Sequence, residues 1–214
     1  MSPAFAAALA LAADPSDDAA GRAARIVSGN QNGLTGAVHT ATAEVVGAGH
    51  GRIGILENFD DDALDRFSFV FGPVEPLEVG VHSDLPTHED ARINLIFKLN
   101  GLPQDRFFRG QPAMSFGLDR RAAFANATWR VSPVTLTGGY SFSDEHTGPF
   151  ANAGVELFGV ALAQVEYDHP DREIGVALRA TWAGVQLALL WSSPVGGLDT
   201  FEPSRTYVSA AYAF

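Results

Sequence analysis

The chain has 214 residues, which suits one sizeable domain, and no shift of composition divides it into two. Its net charge of −11 excludes a nucleic-acid partner, because phosphate binding needs a basic face. Hydrophobic residues make up 46% of the sequence, yet no apolar run reaches the roughly 20 residues that a membrane helix needs. The absence of cysteine excludes disulfides and thiolate metal sites.

The first 33 residues precede the main pattern of the chain. Residues 4–13 have the length of the apolar core of a signal peptide, and Ala10-Leu11-Ala12 offers a small-x-small cleavage pattern, although the basic residues that usually precede such a core are missing. We interpret residues 1–13 as a signal-peptide remnant and residues 14–33 as an N-terminal periplasmic segment. The alternative is an alanine-rich helix through residue 26.

From residue 34 onward the dominant period is two. Segments of about eight to ten residues alternate apolar with small or polar side chains, which is the pattern of β-strands with one apolar face. Ile174, Val176 and Leu178 share one face of such a strand, and Gly175 and Arg179 share the other. Thirteen segments fit the pattern: 37–46, 52–58, 66–72, 76–82, 91–99, 112–119, 122–131, 133–142, 149–157, 159–167, 172–181, 183–192 and 205–214.

These segments predict an all-β fold, a transmembrane antiparallel up-and-down barrel over residues 34–214. Such barrels usually close with an even number of strands, so we expect about twelve, within a range of ten to fourteen, and expect the error to lie in the first two segments. Tight turns at Ser132-Pro133, Phe158-Gly159 and Ala183-Gly184 alternate with longer polar loops, as at the two ends of such a barrel. The long connection from Asn100 to Gln111 breaks this alternation.

The C-terminal segment carries a further signal. Alternation continues to the last residue, and the final phenylalanine has an aromatic residue two positions before it. This resembles the signature by which assembly machinery recognises outer-membrane barrels. We interpret Tyr212 and Phe214 as that assembly signal, which implies the barrel-assembly machinery as a partner.

Aromatic residues gather at predicted strand ends. Outer-membrane barrels place such residues in two girdles at the membrane interfaces. The predicted girdle consists of Trp129, Tyr140, Tyr167, Trp182 and Trp191. The alternative is a secreted, soluble β-sandwich, whose aromatic residues would instead lie near strand centres.

If the apolar faces meet lipid, the alternate faces line a lumen. The charged or ionisable residues predicted there are Glu78, His82, Arg92, Lys98, Asp119, Arg130, Glu156, Glu166, Glu173, Arg179 and Arg205. We expect a salt-bridged interior, with Glu166, Glu173 and Arg179 as one cluster, because charges in a confined space are stable mainly when paired. The alternative is a selective pore lined by charge.

Two predicted loops place histidine beside carboxylates, at Asp144-Glu145-His146 and at Asp168-His169-Pro170-Asp171. A hydrolase or lipid-modifying enzyme with its site at the barrel rim would use such residues as base and orienting acid. Short polar loops collect these residues by chance, so we predict no catalytic residue, no metal ligand and no cofactor. The acidic run Asp60-Asp61-Asp62 is interpreted as a solvated loop.

The region 33–119 resembles the YjbH-type outer-membrane proteins associated with exopolysaccharide production. The matching stretches are Gly33–Gly36, Thr42–Val45, Pro76–Val79, Asp90–Leu99 and Pro112–Asp119. The resemblance implies a role in polysaccharide export or surface organisation. The prediction is therefore a non-enzymatic barrel of the bacterial outer membrane, a structural or accessory subunit or a narrow channel, with outer-membrane lipid and other envelope proteins as partners.

Overall fold

A computed structural model describes residue 36 and residues 41–43, 45–60, 66–84, 93–119, 122–143, 147–169, 172–195 and 204–214. The predicted signal-peptide remnant 1–13, the segment 14–33 and Arg92 lie outside these residues. Among the described residues, no helix has the length and apolar character needed to cross a membrane.

The described residues form twelve strands that close into one barrel. Every strand pairs antiparallel with its sequence neighbours, and the last strand pairs with the first. This confirms the predicted all-β, up-and-down barrel and excludes the sandwich, which needs two separate sheets. The strands are β1 Gly51–Asn58, β2 Arg66–Val74, β3 Leu77–Asp84, β4 Ile93–Leu102, β5 Ala113–Asp119, β6 Ala122–Val131, β7 Val134–Phe142, β8 Gly148–Leu157, β9 Ala161–Asp168, β10 Glu173–Trp182, β11 Val185–Pro194 and β12 Arg205–Ala213.

Alternation of side chains decides which face of each strand turns inward. In β10, every second residue from Glu173 to Thr181 is buried, and the residues between them are exposed. The exposed residues are mostly large and apolar, such as Leu178, while the buried ones include Arg179. This is the reverse of a water-soluble protein, in which charged groups face outward.

The tight turns lie together at one end of the barrel, which we call the turn end. Trp182 pairs directly with Val185, so Ala183 and Gly184 form a two-residue hairpin loop with positive φ at both positions, 48° and 80°. Val131 likewise pairs with Val134 across Ser132-Pro133. Leu157 pairs with Ala161, so the third predicted turn contains Phe158, Gly159 and one further residue. Tight turns thus occur at all three predicted places.

One predicted strand is wrong. Of the segment 37–46, the described residues 41–43, 45 and 46 are not part of the wall, which begins at Gly51. Period-two alternation identifies extended backbone but does not say what the backbone bonds to. Without this segment the thirteen candidates become twelve, the even number expected of a closed barrel.

The barrel closes along the seam between β1 and β12. Gly51 and Phe214 exchange two backbone hydrogen bonds of 2.9 and 3.0 Å. The ring of Phe214 covers Gly51 and stacks on Phe69, with ring centroids 6.5 Å apart. The glycine leaves the space that the aromatic ring fills.

We expect Gly51→Val to weaken this seam. The added Cβ would lie 2.6 Å from Cζ of Phe214, so the ring must move off Phe69. The expected cost is about 0.5–1.5 kcal/mol, the contribution of one aromatic pair, because the partly exposed Phe214 ring can shift away. It is measured as a lower midpoint of urea unfolding. Gly138→Val is the matched control, because a Cβ there meets nothing within 4 Å. Equal losses at both glycines would contradict the packing described.

Candidate functional site in the barrel lumen

The inner face of the barrel is rich in polar and charged side chains that solvent hardly reaches. Glu78, His82 and Lys98 have no exposed surface, and Arg179 and Glu166 are 1% and 2% exposed. An open water-filled pore would leave such side chains exposed. The lumen is therefore filled at these levels.

A charged group lies on the inner face of β3 and β4. Glu78 faces Lys98 across the two strands, with Lys98 Nζ 3.6 Å from Glu78 Oε2. Arg52 on β1 also interacts electrostatically with Glu78. One carboxylate thus serves two cations, as a salt-bridged interior requires.

Part of the filling is the chain's own N-terminal region. We call the described residues 41–43, 45 and 46 the lumen segment. Ala43 is fully buried, and its backbone N–H donates to Thr128 Oγ1 at 2.8 Å. The backbone N–H of Val46 donates to Glu78 Oε2, also at 2.8 Å. These partners are inward-facing residues of the wall.

Amide side chains hold the carbonyl groups of the same segment. Asn126 Nδ2 donates to the Ala41 carbonyl at 2.9 Å, and Asn100 Nδ2 donates to the Ala43 carbonyl at 3.0 Å. Buried backbone groups need such partners, since an unpaired one costs about 1–3 kcal/mol. Side chains of β3, β4 and β6 therefore bond to backbone groups that a neighbouring strand would bond to in a sheet. Ala41 also forms an antiparallel β-bridge with Gly36, which is not part of the wall.

The wall polar groups are in turn tied to one another. Ser115 Oγ donates to Asn126 Oδ1 at 2.8 Å, and the hydroxyl oxygens of Thr128 and Thr137 lie 2.8 Å apart. The donors that hold the lumen segment are thereby oriented by the neighbouring strands. A network of this kind favours one position of the segment over others.

Inward apolar residues of β2, β4, β6 and β8 also pack against the segment. Ala41 and Val46 belong to a buried cluster with Val70, Ile96, Phe124 and Phe150. Where the segment leaves the lumen at the turn end, it passes so close to β2 that a Cβ on Gly72 would lie 2.5 Å from the Val46 and Gly47 carbonyl oxygens. Glycine at position 72 is what permits this approach.

The opposite wall of the lumen has its own polar and apolar groups. Arg179 on β10 donates to the Gln164 side chain on β9 and interacts electrostatically with Glu166. On the same wall, Leu56, Leu190 and Tyr207 form a buried cluster with Ala177 and Ala188.

The predicted cluster of Glu166, Glu173 and Arg179 holds only in part. Glu173 lies six residues from Arg179 on β10, which is about 20 Å of strand. Its cross-strand neighbour is Asp168, not Glu166. The alternation in the sequence placed all three residues on the inner face, as the structure does, but it did not show how β9 and β10 are aligned.

The remaining predicted lumen residues lie nearer the barrel ends. Arg130 and Glu156 form a half-buried ion pair of 3.6 Å near the turn end. Asp119 and Arg205 are of intermediate exposure at the opposite end. Thr128, Ser115 and Asn100 were not singled out from the sequence. The signal that would have found them is an amide or hydroxyl at an inward position of neighbouring strands.

The predicted girdle residues all lie on the outer face, with exposures from 39% to 76%: Trp129, Tyr140, Tyr167, Trp182 and Trp191. Tyr212 lies beside Phe214, with ring centroids 6.4 Å apart. Trp129 and Trp182 are at the turn end, and Tyr140, Tyr167 and Trp191 are nearer the other end. The five side chains thus lie exposed towards the two ends of the barrel, and their place at membrane interfaces stays a prediction.

The predicted rim residues form no catalytic arrangement in the part of the chain that the structure describes. The loop of Asp144, Glu145 and His146 lies outside that part, as do Pro170 and Asp171. His169 is exposed, and its ring packs edge-on against Tyr167 at 6.4 Å. Asp60 accepts a 2.7 Å hydrogen bond from the Thr206 backbone. The described residues contain no group of three ligands suited to a metal ion.

Comparisons with known proteins point to the fold. No family model matches the sequence, and no curated protein matches it, so the resemblance to YjbH-type proteins finds no support. Among solved structures, the KdgM porin superposes with a TM-score of 0.51 at 9% identity, over 77% of this chain and 99% of that one. A triple mutant of the Rhodopseudomonas blastica porin matches with a TM-score of 0.35 at 9% identity, over 77% of this chain and 98% of that one. The first likeness shows that the chain has a porin-like barrel fold.

Proposed function

We propose that the chain is a barrel of the bacterial outer membrane that acts as a narrow channel, closed at rest by its own lumen segment. The observation that carries the location is the inverted surface. Leu95 and Leu178 are 71% and 53% exposed on the outside, while Glu78 and Lys98 are fully buried inside. Lipid is the surrounding in which this distribution is stable.

The strand lengths support the same location. The longest strands have ten residues. With a rise of about 3.3 Å per residue and a tilt of about 40°, such strands cross roughly 25 Å, the height of the apolar band of an outer-membrane barrel. The closed sheet also leaves no unpaired edge to lie in hydrocarbon.

The channel part of the proposal rests on the lumen segment. Its described hydrogen bonds to the wall are made by wall side chains and not by a backbone ladder, so the segment can leave without unravelling the wall. Its departure would uncover a path lined by hydroxyl, amide and charged groups, including Thr128, Asn126 and Glu78. Small polar solutes suit such a path.

A disulfide lock tests this channel. The natural chain has no cysteine, so Ala43→Cys with Thr128→Cys introduces the only pair. Because the Ala43 nitrogen is 2.8 Å from Thr128 Oγ1, we expect the pair to cross-link under oxidation. In planar bilayers, we expect the oxidised variant to show almost no openings. We expect the reduced variant to conduct at least as much as the natural chain, because Thr128→Cys removes the hydroxyl that accepts from Ala43.

The control pair is Ala43→Cys with Ala188→Cys, which places the second thiol on β11 of the opposite wall. No cross-link is expected there, and oxidation should leave conductance unchanged. If the Ala43 and Thr128 variants cross-link fully and current persists, the lumen segment does not close the channel. If the reduced and natural chains never conduct, the barrel is a plugged structural subunit, the second function predicted.

Three further roles stay proposals. The hypothesis of an enzyme with its site at the barrel rim rests on the sequence alone, because the described residues form no catalytic arrangement. A link to exopolysaccharide rests on the resemblance alone. Recognition of Tyr212 and Phe214 by assembly machinery is supported by their place at the seam, where Phe214 bonds to Gly51.

A further inference from the structure

The β4–β5 loop, residues 103–112, has more internal structure than the other connections at the turn end. Gly110 N donates to Asp105 Oδ1 at 2.6 Å, and Asp105 N donates to the Gln111 carbonyl at 3.1 Å. The Gln111 side chain accepts from Phe107 N at 3.0 Å. The loop therefore has one defined shape.

Two contacts fix this loop against the barrel wall. The Gln104 side chain makes both a donor and an acceptor bond to the backbone of Arg130, at 2.9 and 2.8 Å. The indole N–H of Trp129 donates to the Gly110 carbonyl at 2.6 Å. Because Trp129 points outward, the loop lies beside the exposed aromatic belt rather than under the lumen.

The folded loop exposes two large aromatic side chains, which a loop in water would usually bury. Phe107 and Phe108 are 78% and 65% exposed, and the arginines on either side of them, Arg106 and Arg109, are exposed too. Met114 on β5 and Val131 on β6, the two strands that follow the loop, are exposed apolar residues too. In sequence, the two aromatic rings lie between two guanidinium groups. A membrane surface with anionic headgroups offers a partner to both, since the rings can contact acyl chains and the guanidinium groups can contact phosphate.

We propose that the β4–β5 loop is a binding site for anionic phospholipid headgroups of the membrane leaflet at the turn end, with Phe107 and Phe108 in the glycerol and acyl boundary and Arg106 and Arg109 on phosphate. This rests on the proposed membrane location. Arginine suits the role because its planar donors pair with phosphate oxygens in a bidentate manner. The exposed apolar residues of the two strands that follow the loop favour lipid over a protein partner.

Local quenching tests the site in the full chain. A fluorophore is attached after Phe108→Cys, and the chain is reconstituted in phosphatidylcholine vesicles that contain a nitroxide-labelled lipid. The label is carried on either phosphatidylglycerol or phosphatidylcholine. We expect both to quench, and phosphatidylglycerol to quench at lower mole fraction, by about fivefold for each arginine. Arg106→Gln with Arg109→Gln should remove the preference, while lysine at both positions should keep most of it.

Two control sites separate the possible failures. A fluorophore after Phe158→Cys reports another exposed phenylalanine at the same end. Phe158 is 96% exposed and has no neighbouring arginine in sequence, so both lipids should quench the fluorophore alike. A fluorophore after Leu178→Cys lies in the middle of the band. If it is not quenched, the membrane location itself fails.

The other outcomes bear on the loop alone. Quenching at position 178 without quenching at position 108 would overturn the lipid site. The loop would then be exposed to water or would bind a protein. Equal quenching at position 108 by the two lipids would overturn the anionic preference. Loss of the preference on adding inorganic phosphate would assign the arginines to a soluble anion instead.

Discussion

Leu178→Arg is expected to destabilise the barrel in a phospholipid bilayer by about 2–4 kcal/mol. Leu178 lies in the middle of β10 on the outer face and is 53% exposed. In water, an arginine at such an exposed position changes stability by no more than about 0.5 kcal/mol. The large cost arises only if the side chain must lie in hydrocarbon, so this substitution tests the surrounding of the barrel and not its packing.

Ile174→Arg is the matched control for this prediction. It lies on the same strand and the same face, but at the end of β10, where the expected cost falls to about 0–1 kcal/mol because the guanidinium reaches the interface. Both variants are compared by urea unfolding in vesicles, with tryptophan emission as the signal. Small and equal effects at the two positions would place the outer face in water and remove the basis of the proposed function.

The wall of the barrel was predictable because each strand carries its own alternation. In β10 and β11 the apolar residues at every second position predict both the strand and its outward face, and Ala183-Gly184 marks the turn between them. These signals are local. Closure also followed, because a sheet in hydrocarbon cannot leave an edge unpaired.

The lumen segment was not predictable in the same way. Its partners lie far along the chain: Ala43 bonds to Thr128, 85 residues away, and Val46 to Glu78, 32 residues away. Each partner is one inward residue on a different strand. The sequence predicted Glu78 to face inward but did not single out Thr128, and only the register of β3 to β6 brings the two around one segment.

The sequence showed the β4–β5 loop as a break in the alternation of tight turns and longer loops, but it did not explain why the loop is long. The connection from Asn100 to Gln111 was too long for the tight-turn end. In the structure β4 continues to Leu102, with an irregular register between Asn100 and Leu102, and the loop is held by Trp129 and Arg130 of β6. The loop is long because it folds on itself, with hydrogen bonds between its own residues, and lies beside the outward-facing Trp129.

Among inner-face substitutions, Glu78→Ala is expected to cause the largest loss of stability, about 3–5 kcal/mol. It removes the carboxylate that faces Lys98 at 3.6 Å and that accepts the Val46 N–H at 2.8 Å. It also removes the anion with which Arg52 interacts. The lysine is fully buried, so its charge cannot be rehydrated without opening the barrel. Urea unfolding in vesicles measures the loss.

Glu78→Gln separates the two roles of this residue, because glutamine keeps an acceptor oxygen for Val46 while removing the charge. If the lumen segment depends on that oxygen, the Ala43 and Thr128 cysteine pair should cross-link normally with Glu78→Gln and poorly with Glu78→Ala. A double-mutant cycle of Glu78→Gln with Lys98→Met then measures the ion pair alone, with an expected coupling of about 0.5–3 kcal/mol. Strictly additive losses would mean that Lys98 draws no stabilisation from Glu78, and the inner face would then be held by its neutral hydrogen bonds and the apolar cluster around Val46.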